Sequence, residues 1–511
     1  AGVVYIGDKR YVDGLHERFK EYEEKFGINY WKLDGLLLNP KGSSDEHGIG
    51  GGYMNMYSMT ETHERWIELY ETIRKNATDP EKMWINLTSY IPPSPWFLQW
   101  VNSIWMQNSG DVDYQDGVKK EKYRHLDFGS DANEALTYRD DRYEELVKLR
   151  KWQLPFANIY NHDPVYGNTA NSGKALEPHG GQRPKIKFTT DELRTYLYML
   201  GTRGTGFWEF YYSPSMMDDE KWAVNGEAVK WIEDNYETLK HARFHGGKPG
   251  HGEVYGYSAW DKEKGILSIR NPINQEQEYT LKLDRLVGMP ENIGKLYRKI
   301  ILGDGRHNTL ETLSYGDSIT IRLKPYETVI FEYSKNDDKT PANLLEARVT
   351  GAKTINLTFD KRLVLDGADF KVVGKNIESQ TLNADLRTVT LTLREELKDR
   401  EVLTVQYLNL KDSTAHANQA SGQVEVIAYN KGRIVDLEID QKNQTLKNTG
   451  QVGRGAFSVT VKATLSKLNQ TLAQQGDQWK LSVDNDGRVH FSVKDLEVSS
   501  APYTNLNSDD K

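Results

Sequence analysis

The chain has 511 residues, of which 37% are hydrophobic and 27% charged, a balance that supports several separate cores and excludes wholesale disorder. Lys and Arg number 66 against 74 Asp and Glu, a net charge of −8, which argues against a general nucleic-acid binder because such a protein needs a basic face to displace counterions. No apolar run approaches the ~20 residues that span a bilayer, so membrane insertion is not expected, and the lack of cysteine removes disulfides, thiolate catalysis and Cys-ligated zinc.

In the first half, short apolar strands alternate with longer amphipathic helices. Strands are predicted at residues 3–6, 28–33, 83–90, 103–107, 154–160 and 206–210, and helices at 12–26, 61–75, 95–101, 139–149 and 189–200. Pro92, Pro93 and Pro95 open the short helix. Asn225-Gly226 sits between helix-like segments, not between strands. Strand–helix alternation without hairpins predicts parallel βα units, hence a (β/α) barrel or an open α/β sheet. Eleven of the twelve Trp lie at or before Trp260; since Trp suits ligand stacking and pocket lining, the chemistry is expected in this half.

From about residue 250 the period becomes two. Segments 254–260, 266–270, 277–283, 318–323 and 328–333 read as antiparallel strands of a small sandwich, and 337–341 as a linker. Residues 345–429 carry seven or so short alternating strands, as in an immunoglobulin-like module. The β habit continues from 434 to the end, where Asn485-Asp486-Gly487 signals a hairpin.

Two acidic positions follow strands in the aromatic half. In Tyr30-Trp31-Lys32-Leu33-Asp34-Gly35, the residues Tyr30, Lys32 and Asp34 share a strand face. Lys32 would keep a desolvated Asp34 ionised, as a glycosidase nucleophile requires; a structural Lys–Asp pair is the other reading. In Gln107-Asn108-Ser109-Gly110-Asp111-Val112-Asp113, Asp111 follows a strand and a Ser-Gly turn, and is the candidate acid/base, with Asp113 holding local charge. Asp111, Asp113 and Asp116-Gly117 also look like the start of a calcium loop, but loop position twelve is Lys122 and not Glu. No metal site is predicted.

These motifs resemble the clan of glycoside hydrolases that holds the α-galactosidases and α-N-acetylgalactosaminidases of families 27 and 36. The resemblance places the nucleophile on Asp34, a lysine at the substrate hydroxyls on Lys32, and the acid/base on Asp111 within an Asp-x-Asp that includes Asp113. An arginine common four residues before the acid/base is Gln107 here, a departure that leaves the sugar open. The resemblance covers about the first 335 residues. It implies a retaining, cofactor-independent hydrolase of α-galactosyl or α-N-acetylgalactosaminyl linkages acting on glycans, with no nucleic-acid partner, secreted or at the surface of a bacterial-like cell. A glycan-binding adhesin with a degenerate barrel, an α-glucosidase and an endo-galactosaminidase are the alternatives.

If Asp34 ends the fourth barrel strand, three strands belong upstream, because a complete barrel takes ~250 residues. The expected architecture is therefore multidomain: an N-terminally truncated (β/α)8-type barrel (1–245), an antiparallel β-sandwich (246–336), an Ig-like β-sandwich (342–430) and a partial laminin-G or concanavalin-like jelly roll (431–511).

Further candidates surround the two aspartates. Trp31, Tyr53, Tyr57, Trp84 and Trp105 read either as a sugar-stacking wall or as core packing. Asn86, Thr88 and Ser89 end one strand where hydroxyl contacts are expected, and His162 ends the next as a sugar donor or a backbone cap. Trp208 is expected at the substrate, with Glu209 in the pocket or in a salt bridge beneath it. His241 and His245 have metal-pair spacing without a third ligand and read as a solvated helix end. Gly48, Gly50, Gly51 and Gly52 lack the spacing of a phosphate cradle and read as a lid.

Overall fold

The computed structural model describes residues 9–34, 56–88, 94–106, 126–151, 154–166, 188–212, 217–398 and 401–428, together with five strands between 437 and 500. Two compact units divide the chain, Ala1–Asp338 and Lys339–Lys511.

The first unit begins with α1 (Lys9–Phe26), β1 (Tyr30–Leu33), α2 (Met56–Asn76), β2 (Trp84–Leu87) and β3 (Ser103–Trp105). Then come α3 (Asp131–Glu144), which runs on as a π-helical turn to Leu149, β4 (Ile159–Tyr166), α4 (Thr190–Thr202), β5 (Phe207–Tyr212) and α5 (Asp219–Leu239). All strand pairs β1 to β5 are parallel, in the spatial order of the sequence. The helices bury one face of the sheet. In α2, Trp66, Leu69, Tyr70 and Ile73 recur at i, i+3, i+4 and i+7 and pack on Leu33, Ile85, Leu87 and Ile104. Thr189 opens α4 with a reciprocal capping box to Glu192. Gly204 closes it at φ +66, where a Cβ would stand 1.9 Å from the Leu239 carbonyl oxygen.

The sheet is curled. Four flat inter-strand steps would set β1 and β5 about 19 Å apart. Instead Tyr30 of β1 stacks on Phe207 of β5 with centroids 4.8 Å apart, and Lys32 forms an ion pair with Glu209. The result is a half-barrel whose inner face is read from alternate residues.

Helix α5 departs from the sequence expectation, since Asn225-Gly226 lies inside it and not between two helices. Burial of Val224, Ala228, Trp231 and Ile232 on one face outweighs the helix-weakening cost of Gly226, ~1 kcal/mol. Strand β4 begins at Ile159, where a strand from 154 was expected, because a 3-10 turn occupies Phe156–Asn158.

A six-stranded antiparallel sheet follows, ordered β11 (Thr312–Leu313), β10 (Leu296–Leu302), β13 (Thr328–Ser334), β8 (Lys264–Arg270), β7 (Tyr255–Trp260) and β6 (Arg243–Gly246). The β9 (Gln277–Lys282) and β12 (Ser318–Leu323) pair closes a sandwich around Leu267, Ile269, Leu281, Ile321, Leu323, Val329 and Phe331. His245 is not on a solvated helix end. It lies buried in β6 with Nε2 3.0 Å from the Ser268 carbonyl oxygen and Nδ1 3.0 Å from the Tyr279 hydroxyl. The sandwich joins the half-barrel through Asp140, which accepts hydrogen bonds from Arg203 Nε, Tyr255 OH and Tyr257 OH at 2.6–2.8 Å.

In the second unit, β14 to β21 (from Leu344–Gly351 to Gln419–Ile427) form two antiparallel sheets around Ile355, Leu357, Phe359, Val389, Leu391 and Val405. Five further strands between Leu437 and Ser500 make an antiparallel sheet. Val483 pairs with Val489 across the expected Asn-Asp-Gly turn, whose residues lie outside the described ones.

Candidate active site

The inner face of the half-barrel is built from the period-two alternation. Tyr30 and Lys32 of β1, Trp84 and Asn86 of β2, Ser103 and Trp105 of β3, Tyr160 of β4, and Phe207 and Glu209 of β5 share it by register. Asp34 follows Lys32 at the carboxyl end of β1 and is exposed. The amide N–H of Thr88 donates to the Leu33 carbonyl at 2.9 Å, which sets the end of β2 level with the start of that turn.

Below this rim the polar groups bond to one another. Asn86 Nδ2 donates to Tyr30 OH at 2.9 Å, and its Oδ1 accepts from the Trp84 indole at 2.9 Å and from Ser103 Oγ. Asn86 is fully buried, so its expected contact with a sugar hydroxyl is not the role it takes. Its amide ties three strands together as the floor of the cup, because a buried amide must satisfy its donors and acceptors inside the protein. Thr88 Oγ1 and Tyr160 OH form a second such bond. Burial raises the Tyr160 phenol well above its ordinary range, and the nearby Glu209 and Asp34 charges push the same way. Tyr30 is raised by burial and then by Glu209. Both phenols therefore stay neutral. Tyr30 accepts from Asn86 and keeps its own proton to donate.

Lys32 Nζ lies 2.9 Å from Glu209 Oε1 and 3.1 Å from Oε2. The charge that meets Lys32 thus comes from the opposite edge of the sheet, 177 residues away in sequence. From its sequence position alone, Glu209 fits either the pocket or a salt bridge beneath it. The signal that decides is the alternation of β5: Trp208 packs edge-on against Tyr236 of α5 with centroids 5.7 Å apart, so Glu209 faces inward. Trp208 is thereby outside the cup, not at a substrate.

Trp31 is corrected in the same way. It alternates with Lys32, sits 4.3 Å edge-on from Phe19 of α1, and donates its indole N–H to Glu23 at 2.9 Å. A residue between two inward positions on a strand points outward, so Trp31 packs the helix layer. Trp105 is half-buried on the inner face. His162 pairs in register with Glu209. Asp111, Asp113 and Gln107, with the calcium-like loop, Tyr53, Ser89 and the Gly48 to Gly52 run, lie outside the described residues. Among the described residues no cluster of three or more His, Asp or Glu is arranged to hold a metal ion, and no helix is long and apolar enough to cross a membrane.

Residues 337–412 match a family model described as a putative flagellar system-associated repeat. No curated protein sequence matches the chain. Among solved structures, the chain is similar to a family 27 β-L-arabinopyranosidase from Geobacillus stearothermophilus, at 14% identity and a TM-score of 0.37, over 65% of this chain and 63% of that one. It is also similar to a putative α-N-acetylgalactosaminidase from Bacillus halodurans, at 14% and 0.37, over 64% and 62%. A family 36 α-galactosidase from G. stearothermophilus gives 11% and 0.39, over 65% and 39%. The chain spans less than two thirds of the length of each.

Proposed function

We propose that this protein is a retaining glycoside hydrolase acting on α-galactosyl or α-N-acetylgalactosaminyl linkages of glycans. The observation that carries this reading is the position of Asp34: an accessible carboxylate at the carboxyl end of a strand in a curled parallel sheet, above an inner face lined by neutral phenols and a Lys–Glu pair. Active sites of (β/α) barrels occupy that end of the strands, and recognition of a sugar calls for both donors and acceptors around an aromatic floor.

In this reading Asp34 attacks the anomeric carbon while Asp111 protonates the leaving oxygen. Asp111 then takes a proton from the water that resolves the glycosyl-enzyme, so two carboxyl groups ~5–5.5 Å apart carry the double displacement without a cofactor. Asp113 and Gln107 stand beside the acid/base, and Lys32, Trp105 and His162 line the sugar. The segments 342–430 and 431–511 would be accessory β modules that hold the enzyme on extracellular glycan, outside a bacterial-like cell.

The test is turnover of aryl α-galactoside and aryl α-N-acetylgalactosaminide. Hydrolysis that vanishes in Asp34→Asn, and that yields an azide adduct in Asp111→Ala, supports the mechanism. Turnover that survives Asp34→Asn refutes it.

A further inference from the structure

The connection from β2 to β3 carries aromatic surface that the cup does not use. It contains a 3-10 turn, Pro95–Gln99, opened by Ser94, whose hydroxyl accepts from the Trp96 amide at 3.2 Å. Phe97 is buried in the cluster that holds Ile85 and Leu87. Those two residues alternate with the inward Trp84 and Asn86, so the turn lies on the outer side of the sheet, with the helix layer.

Trp96 keeps 42% of its surface in water. Trp100 stands beside it with centroids 4.6 Å apart and ring planes at 68°, and His63 of α2 lies edge-on to Trp96 at 5.9 Å. The two indoles form an open corner, and its position is fixed. Pro95 pre-sets the first residue of the turn, and Gln99 Nε2 donates to the Trp96 carbonyl at 3.1 Å. Arg74 Nη2 donates to the Trp100 carbonyl at 3.3 Å and to Asn102 Oδ1 at 2.9 Å. A platform held this firmly loses little freedom when a ligand arrives.

Charge and area narrow the ligand. No Asp, Glu, Lys or Arg occurs from Met83 to Gly110, although 27% of the chain is charged. A phosphate-bearing or otherwise ionic ligand would find no counter-charge on this turn. A protein partner covers about 800 Å² on each side, whereas a whole aromatic side chain offers only ~150–250 Å². A pyranose matches the corner in size and chemistry, with C–H groups on its faces for an indole and hydroxyls on its rim for amides and water.

We propose that the Trp96–Trp100 corner is a second glycan site, outside the cup, where a neutral polysaccharide chain stacks a pyranose ring on Trp96. The site holds polymer and takes no part in bond cleavage, so it stands whether or not Asp34 is a nucleophile.

The experiment uses the full chain in an Asp34→Asn background, so that polymer is not consumed, and adds Trp96→Ala or Trp96→Tyr. Galactomannan and desialylated mucin, cast into native gels, are the probes, and mobility against polymer concentration gives the dissociation constant. Unfolding midpoints monitor the fold. Trp96→Ala is expected to raise the constant about tenfold, and Trp96→Tyr to recover part of the loss. Retardation that stays within twofold in Trp96→Ala overturns the inference, as does an absence of retardation by both polymers. A matching loss of aryl glycoside turnover in the chain that keeps Asp34 overturns it too, because Trp96 would then belong to the cup. A concentration-dependent dimer that Trp96→Ala abolishes, without retardation by polymer, assigns the corner to a second copy of the chain instead. Retardation that Trp96→Ala weakens, in a wild type without turnover, sustains this site and removes the hydrolase.

Discussion

Arg203 Nε donates to Asp140 Oδ1 at 2.8 Å with both side chains completely buried. The arrangement is unusual because an isolated ion pair in the interior recovers its desolvation cost only when the remaining polar atoms are also bonded. Here Tyr255 OH and Tyr257 OH, at 2.6 and 2.7 Å, complete the carboxylate. Arg270 Nη1 in turn reaches Tyr255 OH at 2.6 Å and Thr137 Oγ1 at 2.8 Å. Six residues of the sandwich and the helix layer thus share one carboxylate-centred network.

Replacing Asp140 by Ala leaves the Arg203 guanidinium buried without its counter-charge. The expected loss is about 3–5 kcal/mol, read as a lower urea midpoint. Tryptophan fluorescence reports the first unit, since eleven of the twelve Trp lie at or before Trp260. A loss below about 1 kcal/mol, the range of an exposed pair, would mean that the network is solvated.

His245 gives a pH dependence. Burial, with a small contribution from the Lys148 charge, holds its imidazole down to about 4 from an ordinary 6.5. Between these values the unfolded chain takes up a proton that the folded chain refuses. Stability is therefore complete above about pH 6.5 and falls as the pH drops toward 4, by about 3 kcal/mol from this group. The unfolding midpoint of wild type between pH 7.5 and 4.5 should decline more steeply than that of His245→Asn. Parallel declines would show that the imidazole is not the titrating group.

Glu23 behaves oppositely. Burial pushes its carboxyl up to about 7, against the single bond from the Trp31 indole. The folded state keeps a proton that the unfolded state releases above about 4.5, so this contribution to stability is present in acid and is lost as the pH rises to 7. Glu23→Gln mimics the protonated form. At pH 8 it should raise the unfolding midpoint of the first unit, and the gain should shrink toward pH 4.5. A lower midpoint at pH 8 would contradict the burial argument.

Asp34 separates chemistry from stability. It is exposed, and exposed substitutions usually shift stability by within about 0.5 kcal/mol. Asp34→Asn should therefore keep the wild-type unfolding midpoint while removing turnover. A variant that unfolds early would assign Asp34 to the architecture of the β1 turn.

Much of this architecture is legible along the chain because periods are local. The alternation of β12 (Ser318–Leu323) is visible as Ile319, Ile321 and Leu323 inward with Ser318, Thr320 and Arg322 outward. The helix face of α2 is visible at Trp66, Leu69, Tyr70 and Ile73. The same period, applied to Tyr30-Trp31-Lys32, already separates Trp31 from Lys32, and applied to Trp208-Glu209 it admits only one of them to the cup. Asn225-Gly226 is helical for another reason: a turn-forming pair yields to helix when its neighbours bury a continuous face.

Residue order alone therefore determined the parallel βα character, the change to antiparallel β structure near residue 250, and the placing of Asp34 at a strand's end. Only tertiary structure decided which residues on those strands meet. That Lys32 answers to Glu209, that Asn86 is a tie beneath the rim, and that His245 is sealed in a sandwich all depend on the curl of a sheet and the packing of layers. Such contacts join positions tens to hundreds of residues apart, and burial and charge pairing depend on distance in space, which local periodicity does not encode.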